Sequence, residues 1–180
     1  MSQHALQSLL APKSMVVLTG EDPHDPLMLA LLSSLTSAQK SCPVYLKGVQ
    51  PAKAFLFPLV ASLVELTTSP DIAVLVGTHN TQSMEDIIAD CGAAGIGSLL
   101  MLSWTGDSQE SLINALRKHH VRLLGPNSFG ICRPKQGVFA WLGLTQPLPG
   151  RLALMSQSGT VASALVDWAT WQGIGFSQVV

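Results

Sequence analysis

Charge is scarce in this sequence: 12% of its 180 residues are charged, and 10 basic against 11 acidic side chains leave a net charge of −1. Near-neutrality excludes a broad electrostatic surface for nucleic acid or an acidic membrane, so ligand recognition must be local. Cysteine is equally thin. Cys42, Cys91 and Cys132 are odd in number, widely spaced, and form neither a CxxC pair nor a histidine-flanked cluster. That pattern disfavours a disulfide framework and a metal site, and it fits a reducing cytoplasm. No apolar run reaches about 18 residues, and the opening stretch lacks a basic start before an apolar core, so neither a membrane span nor an export signal is expected. Two catalytic fingerprints are missing as well. The turn after the first strand reads TGEDPHDP instead of GxGxxG, and SQSG has the wrong spacing for a GxSxG nucleophile elbow.

What is abundant is apolar sequence, 47% of the chain, arranged as short runs that alternate with helical periodicity. Strands are expected at Ser14–Gly20, Pro43–Lys47, Asp71–Asn80, Ser98–Leu102 and Val121–Leu124. Helices are expected over residues 2–11, from Leu27, from a capping Thr81 or Ser83 to Gly95, and over 108–120. The alternation predicts an α/β fold, a doubly wound parallel sheet with helices on both faces. Residues 54–69 stay open between a short helix and an irregular excursion, because Pro58 interrupts them. A proline- and glycine-rich connector with a strand at Val138–Leu142 leads to Gly150, the candidate domain boundary. Beyond it come LALM, a helix and a final strand. So small a βαβ piece either adds strands to the first domain or belongs to a longer polypeptide.

Two stretches organise the rest. LLGPNSFGICRP (Leu123–Pro134) ends a buried strand in a hydrogen-bond-rich turn. GRLALMSQSGT (Gly150–Thr160) reads as strand, small-residue turn and helix start, a geometry whose free amides suit an anion. In a doubly wound sheet, ligands bind beyond the carboxyl ends of the strands, which selects the turns at Thr19–His24, Gly48–Lys53, Gly77–Asn80 and Ser103–Gly106. Glu21, Asp22 and Asp25 place negative charge in the first of these, where a phosphate needs donors. Lys53 could neutralise a phosphate, with a solvated surface lysine as the plainer alternative; Lys47 reads more simply as surface. Trp104 could cover an adenine ring or fill the rim of the core. His119 and His120 read as helix-end residues, and His79 is the one histidine worth testing.

The residues LLGPNSFGI, then a strand followed by SQSGT before a helix, then DWATWQGIGFS, resemble the NDP-forming acyl-CoA synthetases and the succinyl-CoA synthetase α subunit. The likeness is greatest to the variant fused to a GNAT protein lysine acetyltransferase domain, whose opening resembles Met1–Val17. It implies a Rossmann-like CoA-binding domain over residues 1–149 and the start of a flavodoxin-like second domain over 150–180. It also implies coenzyme A or acetyl-CoA as ligand, with its phosphates at Thr19 and Gly20. Further contacts would come from Pro51 and Lys53, from Gly77 and Thr78, and from Ser103, Trp104 and Thr105. Ser156, Ser158, Gly159 and Thr160 match the helix start that holds a phosphorylated histidine in the synthetases. The glycine-rich loop is shortened, and Gly77-Thr78 replaces the usual proline.

The resemblance implies a binding module with no catalytic residue of its own and no metal, served by an ATP-grasp or GNAT catalytic domain in cis or in trans. Two alternatives stand beside it. One is a non-enzymatic regulatory or assembly protein with a degenerate CoA site, and the other is an NAD(P)-binding oxidoreductase fragment.

Overall fold

A computed structural model of the protein describes residues 3–36, 42–77, 79, 82–104, 106 and 108–180. Helix α1 (Gln3–Leu10) precedes β1 (Met15–Thr19), α2 (Pro26–Thr36), β2 (Val44–Lys47), β3 (Ile72–Val76), α3 (Met84–Ala93), β4 (Ser98–Met101), α4 (Gln109–Lys118) and β5 (Arg122–Leu124). The five strands form one parallel sheet in the order β2-β1-β3-β4-β5. β1 and β3 are buried at every residue, as a sheet covered on both faces requires.

Side-chain alternation sorts the core into two layers. Met15, Val17, Ile72, Val74 and Leu100 face α2, whose Met28, Leu31, Leu32 and Leu35 are buried against them. Val16, Leu18, Ala73, Leu75 and Leu99 face α3 and α4 through Ile87, Ile88, Leu112 and Ala115. The doubly wound expectation holds. Of the two caps expected for α3, Ser83 accepts from the Asp86 amide at 3.1 Å, while Thr81 lies outside the described residues.

The open stretch 54–69 adds a remnant strand. The Leu46 amide donates to the Pro58 carbonyl and the Val60 amide to the Leu46 carbonyl, both at 2.8 Å, which places Leu59 in a parallel bridge outside β2. Counted with this remnant, the strand order becomes that of a Rossmann sheet. Pro58 has no amide hydrogen and cannot extend the ladder, so the strand stays a single bridge.

A second sheet, in the order β7-β6-β9-β8, is built from β6 (Gly130–Arg133), β7 (Val138–Trp141), β8 (Pro149–Leu154) and β9 (Phe176–Val179). β8 and β9 are parallel and joined by α5 (Gly159–Trp171), whereas β6 pairs antiparallel with both β7 and β9. The β6–β7 hairpin joins the layers. Its Ile131, Val138 and Ala140 pack toward α2, while Cys132, Phe139 and Trp141 pack toward Ala162, Val166 and Ala169 of α5. β6 lies in a stretch read from sequence as turn, because a glycine start and four residues carry no visible alternation.

Cys42, Cys91 and Cys132 are free and buried, and burial pushes the first two thiols up to about 11 and about 12. Among the described residues no helix is long and apolar enough to cross a membrane.

Gly130 sits at φ +115°, and a Cβ there would meet the Ala140 carbonyl and, at 2.8 Å, the Trp141 Cα, both backbone of β7. Gly130→Ala is therefore expected to lower stability by about 2–4 kcal/mol, read as a shifted urea midpoint with unchanged slope.

Candidate functional site

β1 leads to α2 on one face of the sheet and β3 to α3 on the other, so the gap between their carboxyl ends is the switch point at which sheets of this kind take their ligands. The residues there are laced together. The Gly20 amide donates to the Val76 carbonyl at 2.9 Å. Ser103 Oγ accepts from the Gly77 amide at 2.9 Å and donates to the Gly77 carbonyl at 3.1 Å. Gly77 has φ +90°, and a Cβ would press on the Gly20 backbone at 3.0 Å. Thr19, 4% exposed, turns its hydroxyl to the Lys47 and Val49 carbonyls at 3.3 and 3.0 Å. Thr19, Gly20, Gly77 and Ser103 thus meet at one place, with the Thr19 hydroxyl and the Gly20 amide already engaged inside the protein.

The acidic turn is committed to backbone. Asp22 Oδ1 accepts from the His24 amide at 2.8 Å, and Asp25 Oδ1 caps α2 by accepting from the Met28 amide at 2.8 Å. Pro26 occupies the first helical position and has no amide hydrogen. The start of α2, which in a dinucleotide fold faces the pyrophosphate, here carries its own carboxylate. The neighbouring loop is tied in by the Ala52 amide, which donates to the Pro23 carbonyl at 2.9 Å. Pro51 is buried in that loop. Lys53 is exposed, its Nζ 5.6 Å from the centroid of the Phe55 ring, and its charge faces no carboxylate at ion-pair distance among the described residues.

Beneath the tips lies a cavity of about 50 Å3 lined by Thr19, Lys47, Gly48, His79, Gln82 and Asp90, among others. That is room for water and not for a nucleotide. Lys47 Nζ stands 3.4 Å from Asp90 Oδ2, which also accepts from Gln82 Nε2 at 2.9 Å. Nε2 of His79 is buried without a hydrogen-bond partner among the described residues. Burial holds its pKa below the ordinary value, against the opposing pull of its Val76 backbone bond and Glu21, while Lys47 adds to the lowering. Gln82 and Asp90 carried no sequence signal, since a helix-face carboxylate reads as solvated.

Trp104 is half-buried, its indole against Gly106, and its amide donates to Asn127 Oδ1 at 3.1 Å. Asn127 follows Gly125 and Pro126 at φ +57°, and the next residue, Ser128, donates its amide to the Met101 carbonyl at 3.0 Å. Phe129 then lies against Gly159, the first residue of α5. The GPNSF stretch therefore links the β4 tip to the second predicted anion position. There Ser158 caps α5 by accepting from the Val161 amide at 3.3 Å, and Ser156 Oγ accepts from the Ser158 amide at 3.1 Å. The amides of Gly159 and Thr160 are the first two of the helix and have no acceptor within it. Thr78 and Thr105 lie outside the described residues.

Residues 149–180 match the family described as succinyl-CoA ligase like flavodoxin domain. Over 98% of its length the chain is 30% identical to the acetate–CoA ligase (ADP-forming) I subunit alpha of Pyrococcus furiosus, of which it covers 40%. It is 28% identical, over 96% of its length, to the 4-hydroxybutyrate–CoA ligase (ADP-forming) of Nitrosopumilus maritimus, of which it covers 26%. Among solved structures, the apo dinucleotide forming acetyl-coenzyme A synthetase 1 of Ca. Korarchaeum cryptofilum superposes with a TM-score of 0.80 at 25% identity, over 97% of this chain and 39% of the other. A protein of Pyrococcus horikoshii superposes at 0.79 with 22% identity, over 97% and 41%. The chain is thus homologous to α subunits of ADP-forming acetate–CoA ligases and spans well under half the length of these curated relatives.

A His79 pKa below the ordinary value of about 6.5 means that folding favours the neutral ring, so its contribution is complete above that value and is lost as pH falls below it. The melting temperature should fall between pH 7 and pH 5, and His79→Asn should flatten part of that fall. Identical slopes for the two proteins would show that His79 carries none of it.

Proposed function

We propose that this chain is a coenzyme A or acyl-CoA binding module of an ADP-forming acyl-CoA synthetase. The observation that carries the reading is similarity along 98% of the chain to a CoA ligase subunit, on a parallel sheet whose strand order reverses between β1 and β3. The engaged Gly20 amide and the Asp25 cap on α2 leave the diphosphate no helix start at β1, so its charge falls to Lys53 on the adjoining loop. Trp104 borders the same rim and offers an aromatic edge to the adenine. The thiol arm then points toward a catalytic domain, of ATP-grasp type in this reading. The GNAT partner rests on the motif likeness alone. At the start of α5 the amides of Gly159 and Thr160, beside Ser156 and Ser158, form a second donor position suited to the phosphoryl group of a phosphorylated histidine. In this reading the module binds its ligand and the chemistry belongs to the partner domain.

A second reading is favoured by one observation. With Asp25 seated on α2 and the first-strand tip bonded internally, the chain suits a regulatory or assembly role in which the fold persists and the ligand is lost.

Titration calorimetry with CoA, acetyl-CoA, NAD and ATP separates these readings. CoA should bind in the micromolar range, and Lys53→Ala should weaken it about three- to tenfold, the loss of one exposed phosphate contact of about 1 kcal/mol. Asp25→Ser keeps a cap for α2 but removes the carboxylate, so it should tighten CoA by about two- to fivefold with little change in melting temperature. Heat with NAD but not CoA points to the oxidoreductase, and heat with none to the regulatory protein.

A further inference from the structure

The amino ends of the parallel strands, opposite the tips at Thr19 and Gly77, carry a second hollow. It measures about 300 Å3 and is lined by Gln7, Ala11 and Pro12 at the end of α1, by Lys13, and by Arg133 and Gln136 of the β6–β7 hairpin. Arg133 ends β6, and Pro134–Gln136 form the single 3-10 turn that follows. Pairing of Cys132 with Val179 sets Arg133 beside Gln178 across the antiparallel strands, and Gln178 Nε2 donates to the Leu10 carbonyl at 3.4 Å. Both side chains therefore lie against the end of α1. On the other flank the Lys13 amide donates to Asp71 Oδ2 at 2.7 Å, which fixes the chain just ahead of β1. The polar groups inside are uncommitted. Arg133 is half-buried, and its Nε is shut off from water with no hydrogen-bond partner among the described residues. Neither Arg133 nor Lys13 takes part in an ion pair there, and no carboxylate lines the hollow. Asp71 borders an adjoining one, with one oxygen already given to the Lys13 amide. The carbonyls of Gln7 and Leu10, which a cation at a helix end could answer, are taken by the Ala11 amide and by Gln178.

We propose that this hollow is a second ligand site, which takes a phosphate group between Arg133 and Lys13 with the side-chain amides of Gln7 and Gln136 around it. A buried donor without an acceptor lowers stability, and folded chains keep few of them. A guanidinium is a planar fork that grips two oxygens at once, and an ammonium adds a compact charge. Turning the Arg133 fork into the hollow brings Nε and a terminal nitrogen to one oxyanion, which supplies the acceptor that Nε lacks. Phosphate carries up to roughly two negative charges and several acceptor oxygens, so it answers two cations and two amides more fully than a lone carboxylate does. About 300 Å3 is the small end of ligand pockets, with room for a phosphate and a short organic group but not for coenzyme A. Because the donors come from α1, from the run into β1 and from the β6–β7 hairpin, a bound anion fastens the second sheet to the first. None of the contacts proposed for coenzyme A is involved.

Inorganic phosphate and glycerol 3-phosphate are the probes, titrated calorimetrically at an ionic strength matched with sodium chloride, with and without CoA. Saturable binding tighter than about 1 mM is expected, unchanged by CoA, and the tighter probe tells whether free phosphate or a phosphate ester is the occupant. Arg133→Gln and Lys13→Gln should each weaken it by about fivefold or more, while Arg117→Gln, which removes an exposed cation of α4, leaves it as it was. Melting separates a ligand from a structural role. Without phosphate Arg133→Gln should melt no lower than the parent chain, since it removes an unanswered buried donor, and with saturating phosphate it should melt lower. An arginine that only holds the fold would lower the melting temperature in both conditions. That result, no saturable heat with either probe, heat that Arg133→Gln leaves intact, acetate bound as tightly as phosphate, or phosphate displaced by CoA would each overturn the proposal.

Discussion

Six residues, Gly125 to Gly130, run from the end of β5 to the start of β6 and tie the loop after β4 to the start of α5. Gly125, at φ +115°, brings the backbone so close to β4 that a Cβ would sit 2.5 Å from the Met101 carbonyl, the same carbonyl that accepts from the Ser128 amide. Asn127 turns the chain through the left-handed region and takes the Trp104 amide, so the loop after β4 is shaped by the loop after β5. Phe129 then packs on Gly159 and stands edge-on to Trp141, 5.1 Å between ring centroids. A side chain at Gly159 would have to displace that ring. Gly125, Asn127, Ser128, Phe129 and Gly130 are each held against a neighbour on one sheet or the other.

Negative charge at the crevice is the second determinant. Asp22 and Asp25 answer backbone amides that would otherwise be free, which orders the loop without a glycine-rich sequence. The same bonds occupy donors that an anion would use. Order of the loop and affinity for a phosphate therefore pull in opposite directions at this turn, while the start of α5 spends its Val161 amide in the same way but on a neutral serine, which adds no negative charge.

Most of the first sheet was legible because its strands are buried on both faces and read as apolar runs between breakers, as MVVLT and IAVLV do. β6 was not, since its identity comes from pairing with β7 and β9 and not from its own four residues. The remnant strand at Leu59 was hidden by Pro58, which blocks a ladder yet still lends it a carbonyl. At the candidate site, the turns could be named from the rule that strand tips bind ligands, but the hydrogen bonds that engage Thr19 and Gly20 could not, because each partner lies on a different strand. Asp90 and Gln82 join Lys47 only when α3 docks beside β2.

The single bridge at Leu59 also bears on how the molecule behaves in a crowd. With Pro58 and Val60 spent on Leu46, the outer side offers one residue's donor and acceptor, too few to template an incoming chain. Leu56 and Leu59, 89% and 53% exposed, can then sit in water beside that rim without seeding fibrils. Proline placement here keeps that flank of the large sheet to a single bridge.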